Sequence, residues 1–135
     1  MKKSAAGTAI GFEPEFVAGL KEIFEEACWQ FYAMLGMTPS LLRSGALHLA
    51  AVQQNIGYRK ELYPGDTVAV RTGVLEMREK VLRFRHELFN TETGDVCAVC
   101  EFTVVCLNPA SRKSQPFPPQ VAARARELML PATPA

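Results

Sequence analysis

The sequence contains no run that approaches the roughly 20 consecutive apolar residues needed to cross a bilayer. Two lysines, Lys2 and Lys3, lie near its start, but the apolar stretch that follows them is short and interrupted by glycine, which is a poor match to a signal peptide. We therefore expect a protein that has no membrane span and is located in the cytoplasm.

A charge excess of one sign is also missing. The 15 Lys and Arg residues nearly balance the 14 Asp and Glu residues, so the formal net charge is +1. Because a dedicated nucleic-acid-binding protein normally carries a clear basic excess on one face, we expect no nucleic-acid partner. A few local Lys or Arg residues would still suffice for the phosphates of a small anionic ligand.

The motifs of several enzyme classes are absent. The sequence has no G-x-S-x-G motif, which argues against a serine hydrolase, and no glycine-rich phosphate-binding loop. Cys97 and Cys100 have the C-x-x-C spacing of redox and zinc sites, but they lie in a predicted strand, where residues three apart point to opposite faces. Since no second Cys or His pair completes four ligands, we predict no metal site.

The composition that remains is typical of one globular domain. Hydrophobic residues make up 48% and charged residues 21% of the chain, and 135 residues can bury a core without a disulfide or a metal. The four cysteines lie in apolar segments, where buried thiols are common. We predict a single domain spanning residues 1–135.

A long amphipathic helix begins at Glu13-Pro14 and ends at Gly36. Apolar residues recur between positions 16 and 35 at spacings of three and four, which is the period of a helix with one buried face. Proline is tolerated in a first helical turn, and glycine commonly follows a last one. The apolar stripe is wide, so the helix should lie against a large surface.

The pattern of apolar residues then changes from helical to alternating. A proline–glycine turn at residues 63–66 and a hairpin loop at residues 90–95 separate the alternating segments. Because strands and helices do not alternate, the order predicts an α+β fold with an antiparallel sheet. The predicted strands are Ala46–Tyr58, Thr67–Glu76, Val81–Phe89 and Val96–Leu107, with short helices at Ser40–Arg43 and Val121–Met129 and at most one short strand in residues 1–12.

Four stretches in this order resemble the hotdog-fold thioesterases, specifically the branch around 4-hydroxybenzoyl-CoA thioesterase and the Tol-Pal-associated acyl-CoA thioesterases. The resemblance covers about residues 16–125. It implies a hotdog fold, in which a curved antiparallel sheet wraps around a long central helix. The stretches are Ile23–Phe31 with Leu35-Gly36, Tyr58–Asp66, Leu82–Asn90 with the Gly94 hairpin, and Val104–Pro118.

The resemblance implies hydrolysis of an acyl-CoA or acyl-carrier-protein thioester, with CoA as part of the substrate and no separate cofactor. One part of the family pattern is missing, because no aspartate precedes Asp66 and the family's catalytic Asp would fall at Ile10. A non-catalytic hotdog module that binds an acyl thioester or serves in assembly is therefore the alternative. A hotdog dehydratase would need a His-Asp or His-Glu pair near the central helix, and none is evident.

Three glutamates are candidates for the carboxylate that thioester hydrolysis needs. Glu25 occupies the helix position where some hotdog branches place an acidic catalyst, although a glutamate opposite the apolar stripe is also typical of a solvated or subunit-facing surface. Glu13 and Glu15 lie nearest to the missing Asp, although a carboxylate at a helix start also complements the helix dipole. The first-turn amides, from Glu15 to Ala18, are candidate oxyanion donors.

The two histidines have different sequence surroundings. His48 follows Ser44-Gly45, where backbone can approach a ligand, and we predict that it lies near a pocket. His86 shares a strand face with Leu82, Phe84 and Leu88, which indicates a core or interface histidine.

Two basic pairs could bind the phosphates of CoA. Arg112 and Lys113 follow the last strand, and Arg59 and Lys60 form a second pair after the first strand. A guanidinium suits bidentate phosphate contact and lysine adds a point charge. The alternative is that both pairs belong to solvated basic turns.

The last predicted strand, Val96–Leu107, is apolar on both faces. One set of side chains can cover the helix, and the other set requires a second partner. A second copy of the chain can supply it about a two-fold axis, as the resemblance also implies. We therefore expect a homodimer or a dimer of dimers, with a site built between subunits.

Overall fold

The structure is a computed structural model that describes residues 14–131, with side chains described from residue 19 onward. Every predicted element in this range is present, with its ends shifted by at most two residues, and the predicted short strand in residues 1–12 lies outside it. The elements are α1 (Pro14–Met34), α2 (Pro39–Arg43), β1 (His48–Tyr58), β2 (Val68–Met77), β3 (Val81–Asn90), β4 (Val96–Leu107) and α3 (Pro119–Glu127).

The four strands form one antiparallel sheet in the order β1-β4-β3-β2. The most apolar strand, β4, therefore lies inside the sheet, and β1 and β2 are the edges of the sheet within residues 14–131. His48 at the start of β1 is paired with Leu107 at the end of β4, and Tyr58 at the end of β1 is paired with Ala98. The predicted α+β architecture with an antiparallel sheet is confirmed.

The core lies between α1 and the inner face of the sheet. Side chains on β3 alternate between buried and half-buried along its whole length, because residues two apart share a face. The ring of Phe31 from α1 contacts that of Phe84 from β3, with centroids 4.9 Å apart. Other fully or almost fully buried side chains include Leu20, Phe24, Leu35, Leu82, Leu88 and Val104.

The outer face of the sheet is covered by ion pairs rather than by an apolar surface. Arg83 and Arg85 of β3 each approach Glu101 of β4, at 3.7 and 3.9 Å. The second apolar set of β4 is also less exposed than its sequence suggests, because Val99 is buried and Val105 is half-buried within one protomer. The outer face of β4 therefore gives less reason for a partner than the sequence indicates.

A tight reversal after α1 returns the chain to the same end of the sheet. Gly36 has a φ of 99°, which glycine adopts at little cost, and the N–H of Met37 donates to the carbonyl of Tyr32 at 2.8 Å. The Oγ1 of Thr38 then accepts from the N–H of Leu41 and caps α2. This reversal brings α2 alongside the last turns of α1.

Candidate functional site

An apolar cavity of about 400 Å³ lies between the C-terminal half of α1, α2 and the start of β1. Its wall is mainly aliphatic and aromatic, and Arg43 and His48 supply the polar groups. A cavity of this size with few polar groups is typical of a small-molecule site. The lining residues are Trp29, Met37, Pro39, Leu42, Arg43, Leu47, His48 and Leu49.

The loop after β4 lies beside this cavity. Leu107 bridges to Ser114, and Gln115 Nε2 donates to the carbonyl of Ala46 at 3.2 Å, which ties the loop to the segment just before His48. Arg112 and Lys113 are exposed at the tip of this loop, and neither forms an ion pair within residues 14–131. Three residues predicted from separate parts of the sequence, His48, Arg112 and Lys113, therefore share one end of the sheet.

The loop holds Arg112 in an unfavourable backbone conformation. Its φ is 62°, in the left-handed region that costs a residue with a Cβ about 1–2 kcal/mol. The N–H of Arg112 donates to the carbonyl of Asn108 at 2.8 Å, and the side-chain Oδ1 of Asn108 accepts from the N–H groups of Ala110 and Ser111. These bonds keep the loop in a conformation that glycine would adopt more easily.

Glu25 lies on the exposed face of α1, one turn before Trp29. It lines an open groove between α1 and β2, together with Glu22 and Glu26. Trp29 lines both this groove and the apolar cavity, whereas Glu25 lines the groove alone. Of the three candidate glutamates it is the one whose side chain the structure describes.

The start of α1 lies far from the apolar cavity. Glu13 is outside the described residues, and Glu15 lies in the first turn of α1 with its side chain outside them. At 1.5 Å per residue, the first-turn amide of Glu15 is about 21 Å along the helix from Trp29. The predicted oxyanion donors at the start of α1 therefore do not reach the apolar cavity of the same protomer.

The second basic pair lies at the opposite end of β1 from His48. Ten residue steps of about 3.3 Å separate His48 from Tyr58, so Arg59 and Lys60 are roughly 33 Å away from the cavity in one protomer. Lys60 Nζ donates to Asp95 Oδ2 at 2.9 Å, and this bond raises the pKa of Lys60 and lowers that of Asp95. The Lys60 ammonium thus already has a carboxylate partner within the same chain.

His86 lies in the core, as predicted. Thr72 Oγ1 is 2.6 Å from its Nδ1 and Cys28 Sγ is 3.3 Å from its Nε2, so both ring nitrogens have partners. The ring stacks on Phe24, and burial lowers the pKa of His86 to about 4. Its imidazole is neutral and closed off from any ligand.

The two cysteines of the C-x-x-C pair have different surroundings. Cys97 and Cys100 are buried free thiols, and burial raises the pKa of Cys100 to about 11. The Cys97 thiol lies 3.6 Å from the carbonyl of Asp95, whereas Cys100 accepts from Gln54 Nε2 at 3.7 Å. Among the described residues, no group of three potential metal ligands comes together.

Apart from His48, the residues of the cavity wall were not predicted from the sequence. Trp29 falls on the polar side of the helical wheel, beside Glu22, Glu25 and Glu26, and an exposed tryptophan there is the signal that could have found it. Its side chain is 56% exposed. Met37 and Leu42 carried no comparable signal, because they reach the cavity only through the reversal at Gly36.

The model of the thioesterase-like superfamily matches residues 17–125. No curated protein matches the chain in sequence. None of the helices within residues 14–131 is long and apolar enough to cross a membrane.

Several solved structures are similar to the chain. A Staphylococcus aureus protein solved in complex with CoA shares 18% identity with a TM-score of 0.78, covering 98% of this chain and 86% of that one. A gentisyl-coenzyme A thioesterase shares 23% identity with a TM-score of 0.65, covering 85% of each chain. A probable thioesterase from Escherichia coli shares 19% identity with a TM-score of 0.66, covering 84% of each. The predicted hotdog fold is confirmed, while the branch of the family stays a prediction.

Proposed function

Because the chain belongs to the thioesterase-like superfamily, we propose that it hydrolyses an acyl-CoA thioester to a free acid and CoA. The observation that carries this proposal is the apolar cavity, which has beside it a loop whose two basic side chains form no ion pair within residues 14–131, and which shares Trp29 with the groove that Glu25 lines. An acyl-CoA has the matching parts, an apolar acyl group, a reactive thioester and anionic phosphates. An acyl-carrier-protein thioester presents the same reacting group and is the second substrate to test.

The cavity is the proposed acyl site, and Arg112 and Lys113 are the proposed phosphate contacts. Charge-assisted bonds from an exposed, unpaired guanidinium suit phosphate oxygens. The strained backbone at Arg112 supports a role for this residue, because a glycine there would fold with less strain. The similar Staphylococcus aureus protein was solved in complex with CoA, which supports a CoA-type ligand.

Glu25 is the proposed general base. Its carboxylate accepts a proton from a water molecule as that water attacks the thioester carbonyl, and the tetrahedral intermediate then expels the CoA thiolate, which takes up the proton. His48, on the cavity wall, is the proposed donor to the oxyanion. Glu13 and Glu15 stay alternatives for the carboxylate, and their Gln variants belong in the same assay.

We propose that the protein is a homodimer joined through β1. This edge strand carries no charged residue and no proline from Leu49 to Tyr58, and Val52 in its middle is 61% exposed. Residues 51–55 of β1 are all exposed, and an uncharged edge strand of this kind is a template for pairing with another chain. Antiparallel pairing of two β1 strands would bring Arg59 of the second copy next to His48, which would explain two basic pairs at opposite ends of one strand.

A non-catalytic acyl-thioester-binding module is the second candidate function. It is favoured by the absence of an Asp before the central helix and by the exposure of Glu25. Such a module would use the same cavity and basic loop but would leave the thioester intact.

The experiment that separates the two functions is CoA release from a panel of aromatic and aliphatic acyl-CoAs, followed with a thiol-detecting reagent. The proposed thioesterase releases CoA from at least one substrate well above the rate in buffer. No release across the panel, with CoA binding still measurable by calorimetry, would establish the binding module instead.

A further inference from the structure

Three residues that follow α3 lie along the outer edge of β2. We call Leu128–Leu130 the C-terminal arm. The N–H of Val74 in β2 donates to the carbonyl of Leu128 at 2.9 Å, and the N–H of Leu130 donates to the carbonyl of Val74 at 2.8 Å. The arm thus runs parallel to β2 and satisfies both outward backbone groups of Val74.

Side-chain packing fixes the arm at this position. The Leu130 side chain lies directly over Gly73, and a Cβ at residue 73 would overlap with its Cγ. Glycine at this buried strand position is therefore explained by the close approach of the arm. At its other side the arm is held by α3, whose Val121 and Ala125 are fully buried.

The two edges of the sheet consequently differ within the described chain. The outward edge of β1 carries no covering segment, whereas β2 is covered at its centre, next to a register shift between Val74 and Glu76. If both edges were open, β1 of one copy could pair with β2 of the next. Such a head-to-tail contact can repeat into an open filament instead of closing into a ring. A bulge and a covering segment are devices that prevent edge pairing.

We propose that the C-terminal arm blocks β2 against a second copy of this chain and so confines strand pairing between copies to β1. The occupant that it excludes is β1 of another copy, which is similar to β2 in length, with eleven residues against ten. The arm is held by backbone hydrogen bonds and by one leucine side chain. It therefore acts without any ligand, and the proposal does not depend on the thioesterase activity.

The first test is truncation. A chain ending at Glu127 loses the arm, Pro131 and the four residues after it, and light scattering should show its mean mass rising with concentration from about 5 to 200 μM. The matched control ends at Pro131 and keeps the arm, so its mass should equal that of the full chain. Equal masses for the folded 1–127 and full-length chains would overturn the proposal.

The second test keeps the full chain and so applies even if the truncated protein does not fold. Gly73→Ala should displace Leu130, speed hydrogen exchange at the Val74 amide at least tenfold and raise the mean mass. Adding Leu130→Ala removes the overlap and should restore slow exchange, while Gly19→Ala, at a glycine with open space around it, should change neither readout. Fast exchange at Val74 with an unchanged mass would contradict the blocking role.

Discussion

Two regions of the molecule combine a histidine with apolar side chains, and they differ in whether the polar groups have partners. Around His86, both ring nitrogens are bonded and four phenylalanine rings surround the imidazole. Around His48, the cavity is open, and Arg112 and Lys113 at its side form no ion pair within the described chain. The polar groups of the closed region are hydrogen-bonded within the fold, whereas those of the open region are available to a ligand.

This difference predicts that changes in the open region alter catalysis and that changes in the closed region alter stability. The largest expected effect is on Glu25. Glu25→Gln removes the proposed base and should lower kcat by about 10²–10³-fold, corresponding to roughly 3–4 kcal/mol in the barrier. Glu22→Gln, an exposed neighbour in the same groove, should keep kcat within about twofold.

Comparable kcat values for the Glu25 and Glu22 variants would remove Glu25 from the mechanism. In that case Glu13→Gln and Glu15→Gln decide whether a carboxylate near the helix start takes its place.

The sharpest stability contrast is between the two histidines. His86→Ala leaves a core cavity and removes the partner of Cys28 and Thr72, so the free energy of unfolding should fall by about 3 kcal/mol. His48→Ala, at an exposed position, should change it by less than about 0.5 kcal/mol. Urea denaturation followed by circular dichroism measures both, and similar losses would abolish the distinction between the regions.

Acid should also lower the stability of the fold through His86 in the closed region. The pKa of His86 is about 4 in the fold and near 6.5 in the unfolded chain. Between these pH values the unfolded chain binds a proton that the folded chain does not, so stability falls as the pH falls, by about 3 kcal/mol over the whole interval. His86→Gln should show a shallower loss from pH 6.5 to 4 than the wild type, and an equal slope would assign the acid sensitivity to other groups.

The smallest expected effect is at Arg112, where stability and binding should move in opposite directions. Arg112→Gly relieves the left-handed backbone and should raise the free energy of unfolding by about 1 kcal/mol. Loss of the guanidinium should raise KM for acyl-CoA about tenfold, the equivalent of 1.4 kcal/mol. Arg59→Ala should also raise KM in the proposed dimer, where Arg59 of the second copy lies next to His48, whereas Lys60→Ala, where the ammonium already binds Asp95, should leave KM unchanged.

Much of the fold could be predicted from the sequence because its signals are local. Most of the helical stripe from Leu20 to Leu35 is buried as the period indicates, although Ile23 and Met34 are exposed. The alternation around Phe84 correctly placed His86 in the core. The termination of α1 at Gly36 also followed from one residue type.

The site could be predicted only in pieces, because it depends on pairing between distant segments. Nothing local shows that His48 is paired with Leu107, and this register is what brings Arg112 to the cavity and carries Arg59 away from it. The same limit applies to Trp29, whose neighbours Met37 and Leu42 arrive through a reversal of the chain.

The most direct test of the central claim, that the open cavity binds the acyl group, is a comparison of two adjacent leucines. Leu42 lines the cavity, whereas the half-buried Leu41 packs against the core without lining it. With the best acyl-CoA of the panel, Leu42→Trp should fill the cavity and lower kcat/KM at least tenfold, while Leu41→Trp, corrected for the folded fraction, should stay close to the wild type. Equal kcat/KM values for the wild type and a folded Leu42→Trp would show that the acyl group binds elsewhere.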